Sequence, residues 1–186
     1  MQDALKKFGR YFLLDMIAQG GMAEIFRARQ ITTEGLGRML VIKRIQPSYG
    51  TNNEFVTMFQ SETRVMMNFN HPNVVQLQDF GEEQGQPFIA MEYIEGKSLR
   101  YVKDRIVEKM GQFPPDLAAY IISQAAAGLY YAHSFKDKLD GRPLNLVHRD
   151  ISPQNIILSY DSNVKIIDFG IAKASTNSEQ TRAGVI

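Results

Sequence analysis

The chain has 186 residues, 44% of them hydrophobic and 22% charged, an ordinary globular balance with enough apolar material for a sizeable core. Its 21 basic residues nearly cancel 20 acidic ones, leaving a formal net charge of +1, so no overall field points to nucleic acid or an anionic membrane. The absence of cysteine excludes disulfides, thiolate metal sites and a cysteine nucleophile, and agrees with a reducing, cytoplasmic setting.

Lys6, Lys7 and Arg10 precede an apolar run that Asp15 interrupts and that Gln19, Gly20 and Gly21 follow in place of a cleavage site, so no signal peptide is expected. Residues 11–18 and 24–30 read as strands flanking Gly20-Gly21, and 39–45 as a third strand ended by Pro47. Residues 52–70 switch to helical spacing, with Phe55, Met58, Phe59, Val65, Met66 and Phe69 on one face, until Pro72 stops the pattern. Residues 74–80 and 87–94 make two more strands, and Gly96 is a break. Beyond it the spacing predicts helices over 99–110 and 115–135, the second with Leu117, Ile121, Ala125 and Leu129 at intervals of four and Pro115 in its first turn. Its most apolar stretch is shorter than the roughly 20 residues of a membrane span and contains Ser123 and Gln124, so it reads as a buried helix. Residues 156–158 and 164–167 read as a short hairpin across Asp161-Ser162-Asn163. The expected class is α+β, in two lobes over 1–95 and 96–186: a five-stranded antiparallel sheet with one helix, then a mainly helical part.

Two charges stand where the patterns ask for apolar residues. Glu62 shares a helix face with Phe59, Val65 and Met66, and Lys43 interrupts Leu40, Val41, Ile42 and Ile45. A carboxylate or ammonium on a buried face needs a partner, and the economical solution is that the two pair across strand and helix. The alternative leaves Glu62 at the stripe's margin and Lys43 at the end of an edge strand.

His148-Arg149-Asp150 with Asn155, and Asp168-Phe169-Gly170 after the hairpin, resemble the catalytic loop and metal-binding motif of protein kinases. The glycine turn, the strand lysine and the helix glutamate precede them in that family's order, and Gly20-Gly21-Met22-Ala23-Glu24 and Met91-Glu92-Tyr93 are similar to bacterial serine/threonine kinases. The resemblance covers residues 11–186 and implies a protein-kinase-like two-lobe fold with an incomplete C-terminal lobe, using ATP and Mg²⁺ to phosphorylate a protein substrate, with no role for nucleic acid. By the resemblance, Lys43 holds the phosphates and Glu62 orients it, Asp150 accepts or orients the acceptor-hydroxyl proton, and Asn155 and Asp168 ligate the metal. Gly20 and Gly21, after Ala18, cover the phosphates. Ile17, Ile25, Val41, Ile157 and Ile167 wall the adenine, Met91 guards its back, and the backbones of Glu92 and Ile94 bond it. His148 reads as a packed structural histidine, and His71 and His133 as packing or capping residues.

The sequence departs from that pattern in three places. Ala18 and Ala23 replace two glycines of the phosphate loop, which predicts a stiffer turn. Ser152 stands where many serine/threonine kinases carry a lysine, removing a charge near the transferred phosphate. The sequence ends at Ile186, inside what the resemblance makes the activation segment, so little phosphotransfer is expected of this chain alone. Ser175, Thr176, Ser178 and Thr181 are candidate phosphorylation sites, with Arg149 as the partner of the phosphate. The non-enzymatic alternative is a nucleotide-binding pseudokinase or interaction module.

Overall fold

The computed structural model describes residues 6–20, 22–50, 53–136, 141–144 and 146–169. These divide into two compact units, one within residues 6–68 and Gln76–Tyr93, the other from Phe69–Val75 and within residues 94–169. Gly21, Gly170 and the four candidate phosphorylation sites lie outside the described residues, as does the side chain of Phe55.

The first unit is built on an antiparallel sheet of six strands in the order β1-β2-β3-β4-β6-β5. They are β1 (Lys6–Phe8), β2 (Tyr11–Gln19), β3 (Ala23–Thr32), β4 (Gly35–Ile45), β5 (Leu77–Glu83) and β6 (Gln86–Glu92). One strand more than the expected five is present, because the chain ahead of Gly9 folds back on β2 with Phe8 opposite Tyr11. Gly9 makes that reversal at φ 53°, a conformation glycine adopts without steric penalty. Phe8, Tyr11, Leu13, Ala28, Leu40, Ile42, Phe88 and Ala90 then form one buried cluster. Two helices follow β4, the single turn α1 (Pro47–Gly50) and α2 (Asn53–Met66), which packs along β5. Pro47 therefore ends the strand by opening a helical turn, as its fixed φ favours.

The second unit contains α3 (Leu99–Met110), α4 (Pro115–His133) and a small antiparallel sheet in the order β7-β8-β9: Gly96–Ser98, Ile156–Ser159 and Val164–Ile166. Ser98 caps α3 by accepting from the Tyr101 amide, and Gly111 closes it in the left-handed conformation. Gly96 has a packing reason beyond its break in the pattern: a Cβ there would lie 2.2 Å from the Leu158 carbonyl oxygen. Val74, expected at the start of a strand, instead bridges Ile166 in the second unit, and the strand begins at Leu77. Asn73, 5% exposed, ties this unit together by donating to the Val164 carbonyl at 2.8 Å and to Gln124 of α4 at 3.1 Å. Among the described residues, no helix is long and apolar enough to cross a membrane.

Candidate active site

Strand alternation decides which first-unit residues are brought together. Lys43 stands opposite Ile25 of β3 and Ile89 of β6, Ile25 stands opposite Ala18 of β2, and Val41 stands opposite Met91. Direct cross-strand partners share a face, and residues two apart along a strand share it as well. Ala18, Ile25, Val41, Lys43 and Met91 therefore occupy one face, opposite the cluster built on Leu40 and Ile42. Ile17 falls at an irregularity in β2 and is half exposed, at 49%. Glu92 ends β6, with its amide donating to the Gln76 carbonyl and its carboxylate accepting from the Gln76 amide.

The alternation also shows a buried cation that the sequence reading missed. Arg44, not Lys43, lies on the face of the buried cluster, 8% exposed, with its guanidinium 2.6 Å from Glu24 and stacked over Phe26 and Phe8. Lys43 is half-buried on the other face. The signal was present, since residues 40, 42 and 44 alternate with 41 and 43. In α2 the fully buried position is Thr63, whose hydroxyl donates to the Phe59 carbonyl at 2.6 Å, with Phe59 and Met66 on either side. Glu62 is half-buried beside that stripe, not at its centre.

The turn expected to cover phosphates closes through a hydrogen bond from the Gly20 amide to the Ala23 carbonyl at 2.9 Å. Ala18 and Ala23 belong to β2 and β3. Gly20 itself has no positive φ, and a Cβ there would meet nothing closer than 3.8 Å. Neither strain nor packing within the described residues requires glycine at this position, whereas a ligand approaching the main chain would.

In the second unit the loop from His148 to Asn155 is held from several sides. His148 is 2% exposed, its ring 4.5 Å from that of Phe169. Nε2 lies 2.9 Å from the Ile167 carbonyl and Nδ1 lies 3.3 Å from the Asp150 amide, which donates. A carbonyl can only accept, so these partners assign the proton to Nε2 and leave Nδ1 as acceptor, which is a neutral ring. Burial pushes the His148 pKa below its ordinary value, in the same direction. The expectation of a structural histidine agrees with this geometry. His71 likewise accepts from the Asn73 amide and stacks on Tyr131.

Asn155 donates through Nδ2 to the Asp150 carbonyl at 2.9 Å and to the Asp150 carboxylate at 3.2 Å. Its own amide donates to the Ser152 carbonyl, and its carbonyl accepts from Ile167. Because the side-chain nitrogen is committed to Asp150, the side-chain oxygen is the atom offered to a cation. Asp168 sits at φ 56° and Arg149 at φ 60°, unusual values for non-glycine residues and of the kind that cluster at functional sites. Phe169, 5% exposed, anchors the turn by packing edge-on against Phe69, which in turn meets Tyr131 and Phe135. Ile157 is half-buried in β8, and Ile94 begins the second unit. Among the described residues no group of three His, Cys, Asp or Glu side chains forms a cage for a metal. A carboxylate and an amide oxygen nevertheless fit Mg²⁺, which takes one or two protein oxygens and completes its shell with phosphate and water.

Residues 11–186 match the protein kinase domain family. A tyrosine-protein kinase of Myxococcus xanthus, MasK, is 42% identical over 182 residues, which is 98% of this chain and 28% of that protein. The serine/threonine-protein kinase PrkC of Bacillus subtilis is 34% identical, over 96% of this chain and 25% of its own length. The crystal structure of a cysteine-to-alanine mutant of the Mycobacterium tuberculosis PknI kinase domain superposes with a TM-score of 0.72 at 27% identity, covering 92% of this chain and 63% of that one. The chain thus spans about a quarter of the length of these curated relatives.

Proposed function

Because this chain belongs to the protein kinase domain family, we propose that the protein carrying it transfers the γ-phosphate of ATP to a serine or threonine hydroxyl of a protein substrate. The observation that carries this reading is the Asp150–Asn155 pair, in which one amide fixes a carboxylate and presents its own oxygen. Phosphoryl transfer passes through a loose transition state, so the enzyme's work is positioning and charge neutralisation. Asp150 accepts the proton of the acceptor hydroxyl, held in place by the hydrogen bond from Nδ2 of Asn155 and by the one its own backbone amide donates to Nδ1 of His148. Lys43 neutralises the nonreacting phosphates and pairs with Glu62. Asn155 and Asp168 hold Mg²⁺, which when bound screens charge on the phosphate oxygens. Ala18, Ile25, Val41 and Met91 on the sheet face, with Ile17 and Ile157, enclose the adenine, and the backbones of Glu92 and Ile94 bond its edge. Gly20 and Gly21 close over the phosphates. The compartment consistent with ATP-dependent signalling is the cytoplasm.

Transfer of labelled phosphate from Mg²⁺-ATP to a general protein acceptor tests the reading in the full-length protein. Lys43→Met is expected to lower the rate by on the order of 10², the cost of deleting one electrostatic contact to developing charge. An unchanged rate would contradict it. Phosphoamino-acid analysis of the product separates serine or threonine from tyrosine, the residue in MasK's name. Phosphotyrosine alone would overturn the acceptor assignment while leaving the transfer intact.

A further inference from the structure

The turn after β2 is held by a residue outside the kinase motifs. Gln46, between β4 and α1, donates its side-chain Nε2 to the Gly20 carbonyl at 3.0 Å and its backbone amide to the Met22 carbonyl at 3.0 Å. Its own carbonyl accepts from the Tyr49 amide at 3.0 Å, the first bond of the turn that Pro47 opens. One residue thus engages two carbonyls of the glycine turn and is itself fixed by the helical turn that follows it.

An anion bound by main chain needs N–H groups directed at it and carbonyl oxygens directed away. In a trans peptide the two point in opposite directions, so engaging a carbonyl on one side aims the next N–H to the other. Glycine-rich turns sample many arrangements, including ones that present a carbonyl oxygen to an incoming phosphate. We infer that Gln46 is a positioning residue for the nucleotide phosphates, holding the Gly20 and Met22 carbonyls out of the phosphate site so that the turn is ready to bind before ATP arrives. The inference rests on the kinase reading above and adds a determinant of phosphate affinity that lies outside the glycine turn itself.

Titration calorimetry of the unaltered protein, Gln46→Ala and Gln46→Glu with Mg²⁺-ATP, Mg²⁺-ADP and adenosine tests this. Gln46→Ala removes one hydrogen bond, so ATP and ADP should bind about three- to tenfold more weakly, the range set by a single net hydrogen bond. Adenosine, which has no phosphate, should bind as before. Gln46→Glu keeps the length but places a carboxylate against a carbonyl, and should lose at least as much ATP affinity with adenosine again unchanged. Equal losses for ATP and adenosine would reduce Gln46 to a general structural role and overturn the inference, as would unchanged ATP affinity in both variants. Failure of the unaltered protein to bind either ligand would overturn the kinase reading and this inference with it.

Discussion

Arg44 and Lys43 are neighbours in one strand with opposite fates, and alternation alone separates them. Arg44 is enclosed by Phe8, Phe26 and Glu24, so removing its charge strands a carboxylate of low exposure. Arg44→Met is therefore expected to lower the unfolding free energy by about 3 kcal/mol, the low end for a broken buried pair since Glu24 keeps some solvent. Arg44→Met combined with Glu24→Leu should recover most of that loss. Urea unfolding of the two variants measures both, and a double variant no more stable than the single one would contradict the pairing. Lys43 and Glu62 stood out in the sequence as charges inside apolar patterns. The reason Lys43 stood out was partly wrong: it faces away from the buried cluster, and the charge that does interrupt it is Arg44. Asp150, Asn155 and Asp168 could be nominated as candidates because their spacing matches a known motif, and the packed state of His148 was legible from the same motif. Gln46 was not, because its action is a long-range contact that no local pattern encodes.

At the scale of elements, α3 was read with its observed ends, since Ser98 and Gly111 are strong caps. The buried face of α4 was read only in part. Ile121 and Ala125 are buried as the four-residue spacing predicts, but Gly128 and Ala132 complete the stripe while Leu117 and Leu129 are only half-buried. Small residues are buried here because the helix lies close to the Asn73 backbone: a Cβ on Gly128 would sit 2.9 Å from the Asn73 carbonyl oxygen. In an open helix Gly→Ala stabilises by roughly 1 kcal/mol. Here Gly128→Ala is expected to destabilise, by about 1–3 kcal/mol of overpacking strain, seen as a lower melting temperature. A higher melting temperature would show that the loop gives way freely. The strand β1 and the single turn α1 escaped the sequence reading because three- and four-residue elements are too short for a period to emerge.

For the whole molecule, the surface of the second unit carries Ile122, Tyr130, Val147 and Ile151 at 66%, 74%, 57% and 48% exposure. Large apolar groups in water favour association, so the 186-residue chain is expected to self-associate in sedimentation more than its Ile122→Ser, Tyr130→Ser double variant. Equal behaviour of the two would contradict that. The central claim, that one carboxylate handles the acceptor proton and another the metal, is tested most directly by titrating labelled ATP, with and without Mg²⁺, into the Asp150→Asn and Asp168→Asn variants of the full-length protein. Asp168→Asn is expected to abolish the gain in affinity that Mg²⁺ confers, while Asp150→Asn keeps that gain and loses phosphotransfer. Equal effects of the two substitutions on Mg²⁺-dependent binding would contradict the account.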